Sequence, residues 1–323
     1  VQALIDDFLA GVYGEAAPHV RRYLDLLHRK LTSADAGLSI YGSPVVQGET
    51  WLSPQTLDEV EAILEAAKKA VAEEPKALER VERIGLSLLD ARLEQAKRLG
   101  TGPYGLFEAT PDGTWTVKAR WPQVLDAFVD GCKAAGFANV HERKSPPDEY
   151  AALTRRFFEE GMVAHLAVKK PVALVAPQSP KYPANGVATL VDGIKGTTDY
   201  HYNWLGWEAT DLVATVDLGE VQNVSHVAAD FLQVVGSWIW LPVEVRLSTS
   251  IDGKTWIAAT PVRPRTSVRR ADPFTERFEA RFPPRPTRYV RLEADSVKHC
   301  PDWHQGAGGD AWFFCDEVMV FER

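Results

Sequence analysis

The run VATVDLGEVQNVSHVAADF, residues 213–231, decides the fold. Within it Val213–Leu218 and Ser225–Phe231 carry apolar side chains at every second position, which puts one face of a strand into a core. Working outward, the same period of two governs His165–Val175, Val243–Ser248, Trp256–Thr260, Thr275–Phe282, Arg288–Ala294 and Val318–Phe321. Turn signals such as Asp192-Gly193 and Asp252-Gly253 separate these runs, and no helical pattern intervenes. Short strands at this spacing predict an antiparallel β-sandwich.

Towards the N-terminus the period changes near Glu160. Val20, Leu24, Leu27 and Leu31 recur at helical spacing, as do Leu57, Val60, Leu64, Ala67 and Val71 behind Ser53-Pro54, an N-cap followed by a proline at the first helical position. Leu78, Val81, Ile84 and Leu88 follow Pro75 and continue to Leu99, where Gly100 stops the helix. Pro122 and Pro147 open two further helices, with turns expected over Thr101–Thr114. The expectation is an α + β multidomain chain: a helical bundle over 1–160 and a sandwich over 161–323. The opening helix-like residues Val1, Leu4, Ile5, Phe8 and Leu9, with no initiator Met or basic leader, look like a piece of a longer polypeptide.

Composition narrows the partners. The 36 basic and 44 acidic side chains give a net charge of −8, which disfavours nucleic acid and anionic lipid. No apolar run approaches the roughly 20 residues that cross a bilayer. Three cysteines are too few for a disulfide scaffold; Cys300 and Cys315 could bridge if their strands are neighbours, and sequence does not fix that pairing. Seven of the 10 tryptophans, Trp204, Trp207, Trp238, Trp240, Trp256, Trp303 and Trp312, fall in the strand-rich half, so flat aromatic surface is concentrated there.

Ordered landmarks in the second half carry a resemblance. Leu190-Val191-Asp192-Gly193, Trp204, Val216-Asp217-Leu218-Gly219, Ser250-Ile251-Asp252-Gly253-Lys254-Thr255-Trp256, Thr287-Arg288-Tyr289-Val290-Arg291-Leu292 and Asp316-Glu317-Val318-Met319-Val320 resemble the coagulation factor V/VIII type C domain. This is the discoidin, galactose-binding-like jelly roll, also found as carbohydrate-binding module family 32. Gly206-Trp207, Trp238-Ile239-Trp240-Leu241-Pro242 and Cys300-Pro301-Asp302-Trp303-His304 look like the version appended to bacterial glycoside hydrolases. Phe8, Tyr13-Gly14-Glu15-Ala16-Ala17-Pro18, Tyr23, Leu27 and Arg80-Val81-Glu82-Arg83 look like the helical tail behind the catalytic barrel of uncharacterised, α-glucuronidase-like bacterial glycosidases. The resemblance implies a secreted, periplasmic or cell-surface parent whose catalytic domain is the helical unit's partner. It also implies a structural Ca²⁺ held by carboxylates of Asp192 and Glu317, a hydroxyl or carbonyl of Thr197 or Thr198, and carbonyls of Leu190 and Lys195. Such hard oxygen ligands suit calcium. The alternative is a plain Asp192-Gly193 turn, with Glu317 paired to an arginine.

Among the aromatics, Trp204, Trp256 and Trp312 are expected in the core. Trp207, Trp238 and Trp303 are expected in loops beside His201, Tyr202, Asn203, Glu208 and His304, where a flat ring flanked by polar groups suits a sugar's C–H face and hydroxyl rim. Arg269 and Arg270 are either hydroxyl contacts or solvated loop charges. His299, Cys300, His304 and Cys315 match no standard zinc spacing. Glycoside hydrolysis needs two facing carboxyl groups, normally on a βα barrel, and no βα repeat exists here. The expected function is therefore carbohydrate binding without catalysis. The alternatives are a ligand-free spacer, or a helical unit that completes a glycosidase active site.

Overall fold

The computed structural model describes residues 2–34, 37, 42–141 and 145–322. The expected helical residue Val1 lies outside them. The chain divides into two compact units, Val1–Glu159 and Glu160–Arg323.

The first unit is built from α1 (Gln2–Tyr13), α2 (Ala17–Ser33), α3 (Pro44–Gln47), α4 (Pro54–Ala70), α5 (Pro75–Leu99), α6 (Arg120–Ala134) and α7 (Pro147–Glu160). Ser53 caps α4 by accepting the Thr56 N–H at 3.3 Å, which satisfies one of the free donors of the first turn. The apolar stripe of α4 then packs Leu57, Val60 and Leu64 against Leu26 of α2 and Leu88 of α5. Gly100 ends α5 with φ +58°, a conformation that favours glycine. The stretch expected as turns holds a short ribbon, β1 (Phe107–Ala109) antiparallel to β2 (Trp115–Val117). Its tip is Asp112-Gly113, where Gly113 takes φ +82° and Thr110 N–H bonds the Thr114 carbonyl at 2.8 Å. Inside the unit Tyr150 donates to Glu94 at 2.6 Å, and Lys97 approaches the same carboxylate at 2.7 Å. One turn earlier on α5, Asp90 has an oxygen sealed from water without a partner.

The second unit holds β3 (Val172–Leu174), β4 (Leu205–Glu208), β5 (Leu212–Gln233), β6 (Glu244–Ser250), β7 (Ile257–Ala258), β8 (Phe274–Asp295) and β9 (Trp312–Phe321). All ladders are antiparallel. β5 and β8 are long enough to run through both layers. The first part of β5 pairs β3 (Val216 with Val172) and the last part of β8 (Val216 with Val290), which carries β6 and then β7. The last part of β5 pairs the first part of β8 (Ala229 with Phe278) and β9 (Ala229 with Val318), which carries β4. The crossing between layers falls at register shifts around Asp217–Gln222, where Gly219 has φ +86°. Ala214, Val216, Leu247 and Leu292 of one layer and Val227, Phe231, Phe278 and Phe313 of the other fill one core. Truncating a ring such as Phe231 to alanine would cost about 3–5 kcal/mol.

The expected sandwich is therefore present, with differences in detail. The two runs Thr275–Phe282 and Arg288–Ala294 are one strand, because Pro283, Pro284 and Pro286 sit at the crossing, where a missing N–H is least needed. The run expected over His165–Val175 is a strand only at Val172–Leu174. Cys132, Cys300 and Cys315 are buried free thiols. Cys315 faces the main core while Cys300 packs with Trp240 and Ala311, so the two belong to different clusters and do not bridge. No helix among the described residues is long and apolar enough to cross a membrane.

Candidate functional site

Past Gln233 of β5, Phe274 of β8 and Trp312 of β9, three loops meet at one end of the sandwich. The first returns beside β9: Trp238 accepts the Trp312 N–H and Trp312 accepts the Trp240 N–H, each at 2.9 Å. Trp238 itself takes φ +63°. The second loop, ahead of Trp312, contains Trp303, His304 and a glycine run. Gly306 and Gly309 lie against the Trp238 indole so closely that a Cβ would come 2.5 Å and 2.8 Å from it. The glycines are thus the bed of a tryptophan.

His304 is the hub. Its ring stands edge-on to Trp238 (6.1 Å), Trp240 (5.4 Å) and Trp303 (6.0 Å). Nε2 donates to the Val235 carbonyl and Nδ1 accepts the Gly306 N–H, both at 3.1 Å. These bonds fix one neutral tautomer. Trp240 lies beneath, edge-on to Trp303 at 5.4 Å and fully buried, with its indole N–H sealed and without a partner. The outer rings remain accessible, Trp238 at 36% and Trp303 at 37%. Such edge-to-face contacts hold the exposed rings in fixed orientations.

The third loop, 263–270, is basic and anchored from below. Buried Glu276 accepts the backbone N–H groups of Arg265 (2.7 Å) and Thr266 (3.1 Å). Buried Gln233 spreads its amide N–H groups over the carbonyls of Ser267, Val268 and Arg270 at 3.3–3.4 Å. On this frame the Arg269 guanidinium stands 4.8 Å from the Trp303 centroid and that of Arg270 4.4 Å from Phe274.

The expected sugar contacts therefore separate. Trp238, Trp303 and Arg269 come together. His304 joins them as a support whose two nitrogens are spent internally, not as an exposed contact. Trp207 is the clear correction: it lies on β4, not in a loop, 1% exposed and stacked on Phe313 at 5.4 Å, so it offers no face to a ligand. His201 is exposed, stacked on Tyr200 at 4.3 Å and bonded to Asp199 at 2.7 Å. Tyr202 is half-buried beside it. This group borders the first loop, since Ser237 donates to the Tyr200 hydroxyl at 3.3 Å. Of the tryptophans expected in the core, Trp204 is fully buried. Trp312 is half-buried against Tyr182, and Trp256 is half-buried under Arg291, 4.0 Å from its centroid.

Elsewhere in the unit, the expected metal residues surround a buried acidic group. Glu317 is fully buried; its Oε2 accepts the Gly193 N–H at 3.0 Å and its Oε1 accepts from His165 at 2.8 Å. Burial pushes the His165 imidazole down to about 4, and Nδ1 accepts the Ala167 N–H, so the histidine is neutral and brings no charge to Glu317. Among the described residues no arginine pairs with Glu317. Its carboxyl is pushed well above the ordinary range by burial, then by the charges of Asp192 and Asp316, and the Asp192 and Glu317 carboxyls lie within hydrogen-bonding reach of each other. Asp316, also fully buried and raised by burial, accepts the N–H groups of Gly196 and Glu317 at 2.5 Å. Among the described residues no three His, Cys, Asp or Glu side chains converge to hold a metal ion, which removes the zinc set. A cation between Asp192 and Glu317 would need neighbouring carbonyls and hydroxyls. The Thr197 carbonyl accepts the Trp204 indole N–H at 2.9 Å, and its hydroxyl accepts the Asp199 N–H at 3.1 Å. Thr198 is exposed, the Lys195 N–H bonds the Gly161 carbonyl, and Leu190 lies in the short 3₁₀ segment Gly186–Val191 with its side chain in the core. The set offers oxygen donors, with the buried Glu317 carboxyl within reach of that of Asp192, and this is the donor chemistry a hard cation takes.

Sequence reasoning missed Trp240, Gln233 and Glu276. A period of two would put Trp238 and Trp240 on one face, and it is the positive φ of Trp238 (+63°) that separates the exposed ring from the buried one; nothing marked the other two as loop anchors.

Fold and site together define a helical unit followed by a two-layer antiparallel β-sandwich with an aromatic, arginine-bearing loop end. No family model matches the chain and no curated protein matches it. Among solved structures it is similar to chitosan-binding module 1 of a chitosanase/glucanase from Paenibacillus sp. IK-5 (15% identity, 49% of this chain, 99% of that one, TM-score 0.32). It is similar also to the Clostridium perfringens module CpGH89CBM32-5 in complex with GalNAc-β-1,3-galactose (15%, 49% and 99%, TM-score 0.31). A third is a Streptococcus pneumoniae fucose binding module, SpX-3 (11%, 49% and 98%, TM-score 0.32). What the loop end can bind follows from its own residues.

Proposed function

We propose that the β-sandwich binds carbohydrate at the Trp238–Trp303 loop end. The observation that carries this reading is a pair of accessible indoles held edge-on by His304 and Trp240, with a guanidinium over one of them. Two accessible indoles held about one histidine offer flat apolar surface, and a pyranose supplies an apolar face of matching size with hydroxyls at its rim. Arg269 is placed to meet those hydroxyls. The site is read as a binding site.

Asp192 and Glu317 are proposed to hold a structural Ca²⁺, supported by the oxygen donors described above and by the buried Glu317 carboxyl lying within reach of that of Asp192. When bound, the ion would tie the Asp192 loop to β9 and neutralise buried carboxylates. The sequence resemblance extends the reading to a longer, secreted glycosidase-like parent, in which the helical unit would be the tail behind the catalytic barrel. Affinity electrophoresis of the full chain through gels containing plant and host glycans tests the binding function. Retardation by at least one neutral or charged glycan is expected; free migration through all of them, with the fold intact, would reject it.

A further inference from the structure

We propose that the loop end selects glycans bearing an oxyanion, a uronate carboxylate or a sulfate ester, through Arg269 and Arg270; this rests on the glycan-binding reading above. The loop 263–270 carries four arginines, and two are already neutralised: Arg263 bonds Glu244 at 3.0 Å and Arg265 lies 3.7 Å from Glu276. Among the described residues Arg269 and Arg270 have no carboxylate partner. Each instead lies over an aromatic ring, Trp303 and Phe274 respectively, which orients the guanidinium without spending its N–H donors. The backbone beneath them is fixed. The Arg269 N–H bonds the Ser267 hydroxyl at 3.2 Å, the Arg270 N–H bonds the Ser267 carbonyl at 3.1 Å, and Gln233 gathers the carbonyls.

Two adjacent, oriented and unspent guanidiniums on a chain of net charge −8 are a local exception to its field. Hydroxyls alone do not require them, whereas a planar carboxylate or a sulfate accepts paired N–H bonds from such a fork. The neighbouring Trp238 and Trp303 faces would take the sugar ring, and the arginines its anionic substituent.

The test compares the full chain on polygalacturonate, alginate and hyaluronan, on their carboxyl-reduced neutral counterparts, on dextran sulfate and on polyglutamate. Uronate polymers are expected to bind roughly tenfold more tightly than their reduced forms, with a preference that fades as salt rises. The double variant Arg269→Gln, Arg270→Gln should lose that preference while keeping its melting temperature. Binding to dextran sulfate but not to uronates also supports the proposal and assigns the anion to sulfate. Equal binding of acidic and neutral forms, a preference that survives the double variant, or polyglutamate binding as tightly would overturn it and leave glycan binding standing. No retention on any glycan would reject both.

Discussion

The guanidinium of Arg269 lies 4.8 Å from the centroid of the Trp303 indole, and both side chains reach solvent. The pair joins the 263–270 loop to the 296–311 loop. A stacked arginine–indole contact at an accessible site contributes about 0.5–1 kcal/mol, too little to hold the fold together. Trp303→Ala is therefore expected to weaken glycan retention roughly tenfold, as for loss of a sugar platform, with little change in melting. Titration calorimetry alongside thermal melts checks this, and an unchanged affinity would remove Trp303 from the site.

Gly306 is predicted to be intolerant of any side chain because its Cβ would sit 2.5 Å from the Trp238 indole, with little freedom for that ring to retreat past Gly309. Gly306→Ala should cost about 1–3 kcal/mol and shift tryptophan fluorescence. Gly308→Ala is the control for crowding, since nothing lies within 4 Å of its Cβ direction, although φ +77° adds backbone strain of its own. Equal spectra for Gly306→Ala and the wild type would show that Trp238 does not rest on this loop.

Calcium at Asp192 and Glu317 predicts a melting temperature that depends on the ion. At a hundredfold excess over Kd, binding to the native state adds about 2.7 kcal/mol, or roughly 5–10 °C for a unit of this size. EDTA should lower the melting temperature, calcium should restore it, and Glu317→Ala should abolish the response. Identical melts with EDTA and with calcium would remove the ion from the account.

In the helical unit, burial and the charge of Glu94 push the Asp90 carboxyl up to about 7 from an ordinary 3.8. A raised carboxyl binds its proton more tightly in the folded chain than in the unfolded one. Stability from this group is therefore full below about 3.8, declines as pH rises to about 7, and is constant above. Asp90→Asn should raise the melting temperature of the helical transition at pH 8 and leave it nearly unchanged at pH 4. Calorimetry at the two values checks the sign; an equal effect at both would show that Asp90 does not titrate in this window.

Much of the fold was legible in the sequence because it rests on periodicity. Alternation through Val216 and Leu218, and again through Val227 and Phe231, marks a strand whatever its neighbours are, and Ser53-Pro54 marks a helix start by local chemistry alone. Layer crossing was not legible: Pro283–Pro286 reads as a break, and only the pairing of Asn223 with Pro286 shows that the strand continues. The site was half legible for the same reason. Trp238 and Trp303 stood out by residue type, but Trp207 sits in an equally polar neighbourhood of sequence and is buried, since its exposure depends on β4 pairing with β9. The anchors Gln233 and Glu276 act through distant backbone, which no local pattern reports.

The most direct test of glycan binding at this end of the sandwich is affinity electrophoresis of the full chain and of its Trp238→Ala, Trp303→Ala variant on the same glycan gels. Retardation of the wild type and free migration of the variant are expected, with melting temperatures that agree. Retardation that survives the loss of both indoles would contradict it.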